Sequence, residues 1–318
     1  MLATMKPRSY LLPKPAPFIA RVAVLVGCLP LLGWLGGSYW LIDLFNHFQV
    51  QYAVFLTIGV LALIALKSFR LAALAGVFLI VPLTRLAPCF IGGSSGTAGS
   101  TLRIATFNVL TANTRHDDAV KWIRETDPDV IFLPEVDEVW AGALRPLLAS
   151  HPHVIEHIVE GNFGFALYSK LPITSKEIIP CGQLELPLLK ARLKGPGGEF
   201  TLLGAHPVPP TTEFWSNERD AFLQTIAEVA SKETLPVIAV GDFNATRWSH
   251  GMKPLWKAGL LDSAEDHGAG STWMRGSFLM AVPIDHVLFR GPGIVCTKRW
   301  IGPDLGSDHR AVVAEIGW

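Results

Sequence analysis

Two regimes of apolar and polar positions divide the chain. Residues 22–42 hold no charged side chain, and residues 50–66 form a second charge-free run. A third run over 71–84 ends at Arg85, whose long stem lets its head group snorkel and the span continue towards residue 91. A helix needs about 20 such residues to cross a hydrocarbon core. The pattern therefore predicts three transmembrane helices near 20–42, 50–66 and 71–91. A cleaved signal peptide is disfavoured for the first run, because no small-residue cleavage pattern follows it and two further runs do. Buried helices of a soluble domain are disfavoured by three such runs in near succession.

From Thr101 onward the pattern shortens. Runs over 102–109, 130–134, 165–169, 200–205, 237–240, 284–289 and 311–316 read as strands. Residues 116–126 and 217–232 carry apolar positions at helical spacing. Strands and helices mixed in this way predict an α/β sandwich with mixed sheets. The stretch Gly92-Gly93-Ser94-Ser95-Gly96-Thr97-Ala98-Gly99-Ser100 has the composition of a flexible linker. The expected organisation is an anchor over 1–91, a linker over 92–100 and a globular domain over 101–318.

Charge sharpens this division. The whole chain balances 27 Lys+Arg against 27 Asp+Glu, yet residues 1–100 hold seven basic residues and one acid, Asp43. Residues 101–318 therefore carry 20 basic and 26 acidic side chains, a formal −6. Lys6, Arg8, Lys14 and Arg21 precede the first span, and Lys67 and Arg70 separate the second from the third. The loop around Asp43 and His47 has no basic residue. The positive-inside rule then puts the N-terminus and the 67–70 turn in the cytoplasm, and residues beyond 92 on the extracytoplasmic, periplasmic-type side. Arg85 alone counts against this. Three spans without an intramembrane charge pair make a poor transport path, so the expected role is an anchor contacting the lipid bilayer. The four cysteines show no metal-ligand spacing and read as isolated thiols.

Candidate chemistry sits where apolar runs stop. Asn108, Glu135 and His206 end three of the strands. Asp242 and Asn244 end a fourth within Gly-Asp-Phe-Asn, Asp285 enters a fifth, and Ser307-Asp308-His309 precedes the last. Any one of these is ordinarily a turn residue bonded to nearby backbone. Six in order, with carboxylates and imidazoles both present, point to a shared rim where α/β folds place their sites.

These residues carry a resemblance. Thr-Phe-Asn108, Glu135, Ala-His206, Gly-Asp242-Phe-Asn244, Ile-Asp285-His and Ser307-Asp308-His309 together resemble the endonuclease/exonuclease/phosphatase superfamily, the deoxyribonuclease I-like fold. The resemblance covers essentially all of 101–318 and implies a four-layer α/β sandwich with two packed mixed β-sheets. It implies a divalent-metal-dependent phosphoester hydrolase, with Mg²⁺ (or Mn²⁺) held by Glu135, Asn108 and Asp308. A hard cation suits oxygen donors, and the lack of a Cys or multi-His cluster argues against zinc. It further implies that His309, oriented by Asp285, contacts the phosphate or moves a proton. Asp242 would activate water, Asn244 would donate to a phosphoryl oxygen, and His206 would stabilise charge on phosphorus. Relatives with two histidines pair the His206 counterpart with an acid on an intervening strand. Residues 164–170 contain none, and Glu185 is the substitute within reach of the pattern.

For substrate, Trp273 and Arg275 fall where such proteins build contact loops. The candidates are nucleic acid, a phospholipid or a small phosphodiester. The −6 charge is unfavourable for sequence-independent DNA binding. No obligatory protein partner is indicated. The competing expectation is a non-catalytic binding or regulatory domain on the same fold, against which stands the full complement of acids and both histidines.

Overall fold

The computed structural model describes residues 15–35, 39–91 and 99–318. Lys6, Arg8, Lys14 and most of the expected linker lie outside the described residues. Among the described residues, three helices are long and apolar enough to cross a membrane: Pro15–Trp34, Trp40–Ala65 and Phe69–Cys89, of 20, 26 and 21 residues. The first ends earlier than the apolar run 22–42 suggested, and Trp40–Ile42 belong to the second. Within these stretches lie α1 (Pro15–Trp34), the one-turn α2 (Trp40–Asp43), α3 (Gln49–Ala65) and α4 (Phe69–Leu86). Their shared core is built largely of Ala20, Ala23, Leu56, Leu63, Ala72 and Ala75. Small side chains let the helix backbones approach closely.

The C-terminal domain has two packed six-stranded sheets. One runs β11 (Val295–Ile301), β12 (Val312–Gly317), β1 (Thr101–Thr106), β2 (Val130–Pro134), β4 (Phe165–Ser169), β3 (His153–His157). The other runs β5 (Ile173–Cys181), β6 (Leu186–Gly195), β7 (Gly198–Ala205), β8 (Val237–Asp242), β10 (Asp285–Arg290), β9 (Leu261–Asp262). Both are mixed, with β1–β2 and β7–β8 parallel and their other pairings antiparallel. Alternation explains how one strand serves two layers. Ile104, Phe132, Ile238 and Val240 face the core between the sheets. Ala105, Ile131 and Leu133 face outward under α5 (His116–Thr126) and α6 (Glu138–Leu144). Ala239 and Leu203 face α7 (Glu213–Lys232) and α8 (Lys253–Lys257). Because both faces are covered, the central strands read as continuous apolar runs.

The helices are docked on this domain. Asp43 accepts hydrogen bonds from Ser249 Oγ at 2.6 Å and His250 N at 2.9 Å. His47 Nδ1 accepts from Thr246 N at 3.2 Å. Arg85 donates to the Trp248 carbonyl at 3.0 Å, and Trp248 Nε1 returns a bond to the Arg85 carbonyl at 2.9 Å. The C-terminal ends of α1 and α4 and the N-terminal end of α3 thus meet the domain, which leaves Lys67 and Arg70 at the opposite end of the bundle. Gly99 and Ser100 pair with Trp318 at the start of β1.

Candidate active site

The site forms at one end of the sandwich, where β1, β2, β7, β8 and β10 finish or begin. Asp242 is the last residue of β8, and Asp285, the first of β10, lies directly opposite it in register. The glycine of Gly-Asp-Phe-Asn has a mechanical reason: Gly241 has φ 144°, and a Cβ there would press into the Ala205 carbonyl. Glu135 and Asn244 follow their strands with φ of 64° and 47°, left-handed values that cost a non-glycine residue of order 1–3 kcal/mol. Such conformations turn a side chain back over the sheet end rather than away from it.

Asp242 Oδ2 is the hub. It lies 3.1 Å from Asn108 Nδ2, 3.6 Å from His309 Nε2 and 3.7 Å from His206 Nε2. His206 Nε2 is also 3.7 Å from Glu135 Oε1. Asp285 Oδ2 accepts from His309 Nδ1 at 2.9 Å, the pairing that the family resemblance implied. Asn108 donates to Glu135 Oε1 at 2.9 Å, and Thr111 N donates to Glu135 Oε2 at 3.3 Å. Asn244 N donates to Asp242 Oδ1 at 2.9 Å, while its amide Nδ2 bonds the Pro207 carbonyl at 2.9 Å, leaving one N–H free. The histidines have different surroundings. Burial lowers the pKa of His206 against the opposing pull of Asp242. Burial works in the same sense on His309, but Asp285 and Asp242 outweigh it and raise its pKa to about 10. One imidazole is therefore held neutral and the other charged, the separation that marks distinct acid–base roles. The Asp242 carboxyl is raised by burial and by Asp285, partly offset by His309.

The donor set suits a hard cation. Asp308 Oδ1 is buried without a hydrogen-bond partner, while Oδ2 accepts from Trp273 Nε1 at 2.9 Å. Burial raises the Glu135 pKa, and Asp308 adds to that rise, so a positive charge between these two carboxylates is electrostatically favourable. Asn108 turns its NH₂ towards Glu135 and Asp242 while its carbonyl oxygen accepts from Leu110 N, so in this geometry it holds carboxylates instead of offering them an oxygen neighbour. Asp242, Asp285 and His309 also lie close enough to share an ion, their ligand atoms within 4.8 Å of one another. Within this trio His309 Nδ1 is already bonded to Asp285, and its Nε2 faces Asp242 at 3.6 Å.

Further contacts brace the site, and of their residues Thr272 and Asp304 had no signal in the sequence. Ser307 Oγ donates to the Asn108 carbonyl at 2.8 Å and accepts from His309 N at 3.0 Å, tying β1 to the segment before β12. Thr272 Oγ1 accepts from Asp285 N at 3.1 Å. Arg275 bonds the Ser307 carbonyl at 2.7 Å and pairs with Asp304, bracing the loop that carries Asp308. Trp273 is tilted over His309, with centroids 6.4 Å apart. His206 Nδ1 approaches the Asn162 backbone without a well-formed hydrogen bond. Its carboxylate neighbours are Glu135 and Asp242, and Glu185 instead occupies the β5–β6 turn. All four cysteines are free thiols.

The sequence profile of the Endonuclease/Exonuclease/phosphatase family matches residues 105–309, more than half of the chain. No curated protein matches the sequence. Among solved structures, TDP2 of D. rerio, complexed with a single-strand DNA product, is 19% identical and covers 69% of this chain and 100% of its own, with a TM-score of 0.58. The 3′ phosphatase NExo from Neisseria, bound to a product DNA hairpin, is 18% identical over 68% of this chain and 100% of its own, with a TM-score of 0.56. Sphingomyelinase C from Streptomyces griseocarneus is 16% identical over 68% and 99%, with a TM-score of 0.52. At such identities the likeness shows the shared fold.

Proposed function

Because the chain belongs to the endonuclease/exonuclease/phosphatase family, we propose that it is a divalent-metal-dependent phosphoester hydrolase working from a membrane. The observation that carries this reading is the convergence of two imidazoles of opposite charge preference on the Asp242 carboxylate, 3.6 and 3.7 Å away. Glu135 and Asp308 would hold the cation, Mg²⁺ or Mn²⁺, with Asn108 fixing Glu135. When bound, it supplies neutralisation of phosphoryl and leaving-group oxygens.

The protein's own groups account for the rest. Asp242 accepts the proton of the attacking water, and its buried, upshifted carboxyl is a better base for that than a solvated one. The water oxygen bonds to phosphorus as the ester P–O bond breaks, giving a free phosphate or phosphomonoester and an alcohol. His309, its ring fixed by Asp285, presents a charged N–H to a phosphoryl oxygen. His206 and the free amide N–H of Asn244 donate to the remaining oxygens. Trp273 keeps Asp308 in place through its indole N–H.

For location, we propose that 15–89 is a three-span anchor followed by a linker and that the catalytic domain begins near residue 101 on the extracytoplasmic side. The basic Lys67 and Arg70 at the end of the bundle remote from the domain support that orientation. A C-terminal reporter active only in the cytoplasm would overturn it. The enzymatic test uses the full chain in detergent with Mg²⁺ or Mn²⁺ and a panel of supercoiled DNA, RNA, phospholipid vesicles, inositol phosphates and bis-p-nitrophenyl phosphate. Turnover abolished by EDTA and by His309→Ala is expected. Metal binding without turnover of any panel member would favour a binding domain.

A further inference from the structure

The loop joining β9 to β10 does two things at once. Its first part builds the active site, through Trp273 on Asp308 and Thr272 on the Asp285 backbone. Its tip, Phe278-Leu279-Met280, is apolar and exposed to 53%, 60% and 42%. Three adjacent large apolar side chains exposed in this way mark a contact surface.

The position of the tip identifies what it contacts. Phe278 packs edge-on against Phe55 of α3, with centroids 6.3 Å apart. Phe55 lies inside the charge-free run 50–66 of a candidate membrane span and itself points outward from the helix bundle. In the three-span reading above, a ring on the outward face of α3 meets lipid. Gln51 lies about 6 Å nearer the domain at 1.5 Å per residue. Its Nε2 donates to the carbonyls of Phe278 at 3.1 Å and Ala281 at 2.6 Å. Non-helical backbone at membrane depth requires that its carbonyls find internal partners, and a glutamine on an apolar helix supplies them here.

Between tip and site runs a cleft of about 240 Å³ lined by Thr272, Trp273, Arg275, Phe278, Ala281 and Arg310. Phe278 and Ala281 make its α3 end apolar, room for an acyl chain, and Thr272, Trp273 and Arg310 line it towards the loop that carries Asp308.

We propose that the Phe278–Met280 tip is embedded in the bilayer beside α3, so that the active site takes its phosphoester from a membrane lipid. This rests on the hydrolase reading above and names its substrate class. The reaction is the same displacement: water bonds to phosphorus, one P–O ester bond of the headgroup breaks, and the alcohol and phosphate parts separate.

The test uses the full chain reconstituted in phosphatidylcholine vesicles with Mn²⁺ and two chromogenic probes. One is a long-chain alkyl p-nitrophenyl phosphodiester embedded in the vesicle, the other its water-soluble methyl counterpart. The wild type should prefer the embedded probe by about tenfold or more in kcat/KM, since one large side chain moved into lipid is worth about that much. Leu279→Ser with Met280→Ser should remove most of that preference and leave the soluble probe within about twofold. Insertion is read separately: Leu279→Trp should add fluorescence that brominated acyl chains quench. Hydrolysis of the soluble probe without preference for the embedded one overturns this proposal alone. An equal effect of the double variant on both probes does the same, as does added fluorescence in the Leu279→Trp chain that the brominated chains leave unquenched. Failure to hydrolyse either probe by a chain that turns over another panel member also overturns this proposal alone, whereas failure on both probes and on the whole panel sinks the hydrolase reading and this proposal with it.

Discussion

Replacing Asp43 with alanine should loosen the C-terminal domain although Asp43 belongs to the N-terminal helices. Its carboxylate is buried, accepts from Ser249, His250 and Asn46, and lies 3.5 Å from Arg219 Nη2. Arg219 is 1% exposed and also reaches the Asn244 carbonyl at 3.4 Å, beside the site. Removing one partner of a buried ion pair costs about 3–5 kcal/mol, because the other charge stays desolvated. Arg219 retains Asp220 at 2.7 Å, so the low end, about 3 kcal/mol, is expected. For a chain of this size that lowers the apparent Tm by about 5–10 °C. Tryptophan fluorescence of the full chain in detergent, scanned at one fixed rate, reads the shift. Turnover should fall as well, because the Asp242–Asn244 turn loses its brace. A Ser249→Ala cycle should show coupling of about 0.5–3 kcal/mol with Asp43→Ala. A Tm shift below about 1 °C would refute the idea that the N-terminal helices brace the site.

The other expectations concern the site and the neighbouring core. His309→Ala and His206→Ala should each lower kcat/KM on bis-p-nitrophenyl phosphate by about 10²–10⁴, the usual contribution of a positioned proton donor or acceptor; a loss under threefold would remove that histidine from the mechanism. Asp308→Asn and Glu135→Gln should weaken Mn²⁺ binding in calorimetry by at least about tenfold, and unchanged affinity would place the cation elsewhere. Asp262 is buried against His286 at 3.2 Å, and although burial alone would raise its pKa, His286, Arg247 and Arg299 hold it well below the ordinary carboxylate value. A depressed folded pKa gives stability that is complete above the unfolded value of about 3.9 and disappears as pH falls through the folded one. The stability gap between wild type and Asp262→Asn should accordingly be constant near neutrality and shrink below about pH 4, and a gap that widens in acid would contradict this.

Local pattern carries much of the fold. β2 and β4 coincide with their expected limits because both are short apolar runs stopped by turn residues and buried on both faces. The edge strand β5 is not legible in the sequence, since Thr174, Ser175, Lys176 and Glu177 lie exposed and carry no apolar rhythm. β11 escapes notice because Thr297, Lys298 and Arg299 interrupt it, and its β-bulge shifts the alternation. The first apolar helix stops short of its apolar run, because such a run does not record where the helix ends.

The strand-end residues Asn108, Glu135, His206, Asp242, Asp285 and His309 can be nominated from sequence because each stands where a local run ends, and alternation and run length are properties of neighbours along the chain. Their protonation cannot be read there. His309 is held charged only because Asp242 and Asp285 arrive beside it from β8 and β10, while His206, under the same burial, stays neutral. The brace from Asp43 to Arg219 spans 176 positions, and the seat of Phe278 on Phe55 joins an apolar N-terminal helix to a loop of the other domain. Charge interaction and desolvation depend on separations of a few ångströms through space, and the folding of two sheets and a helix bundle onto one another is what sets those separations.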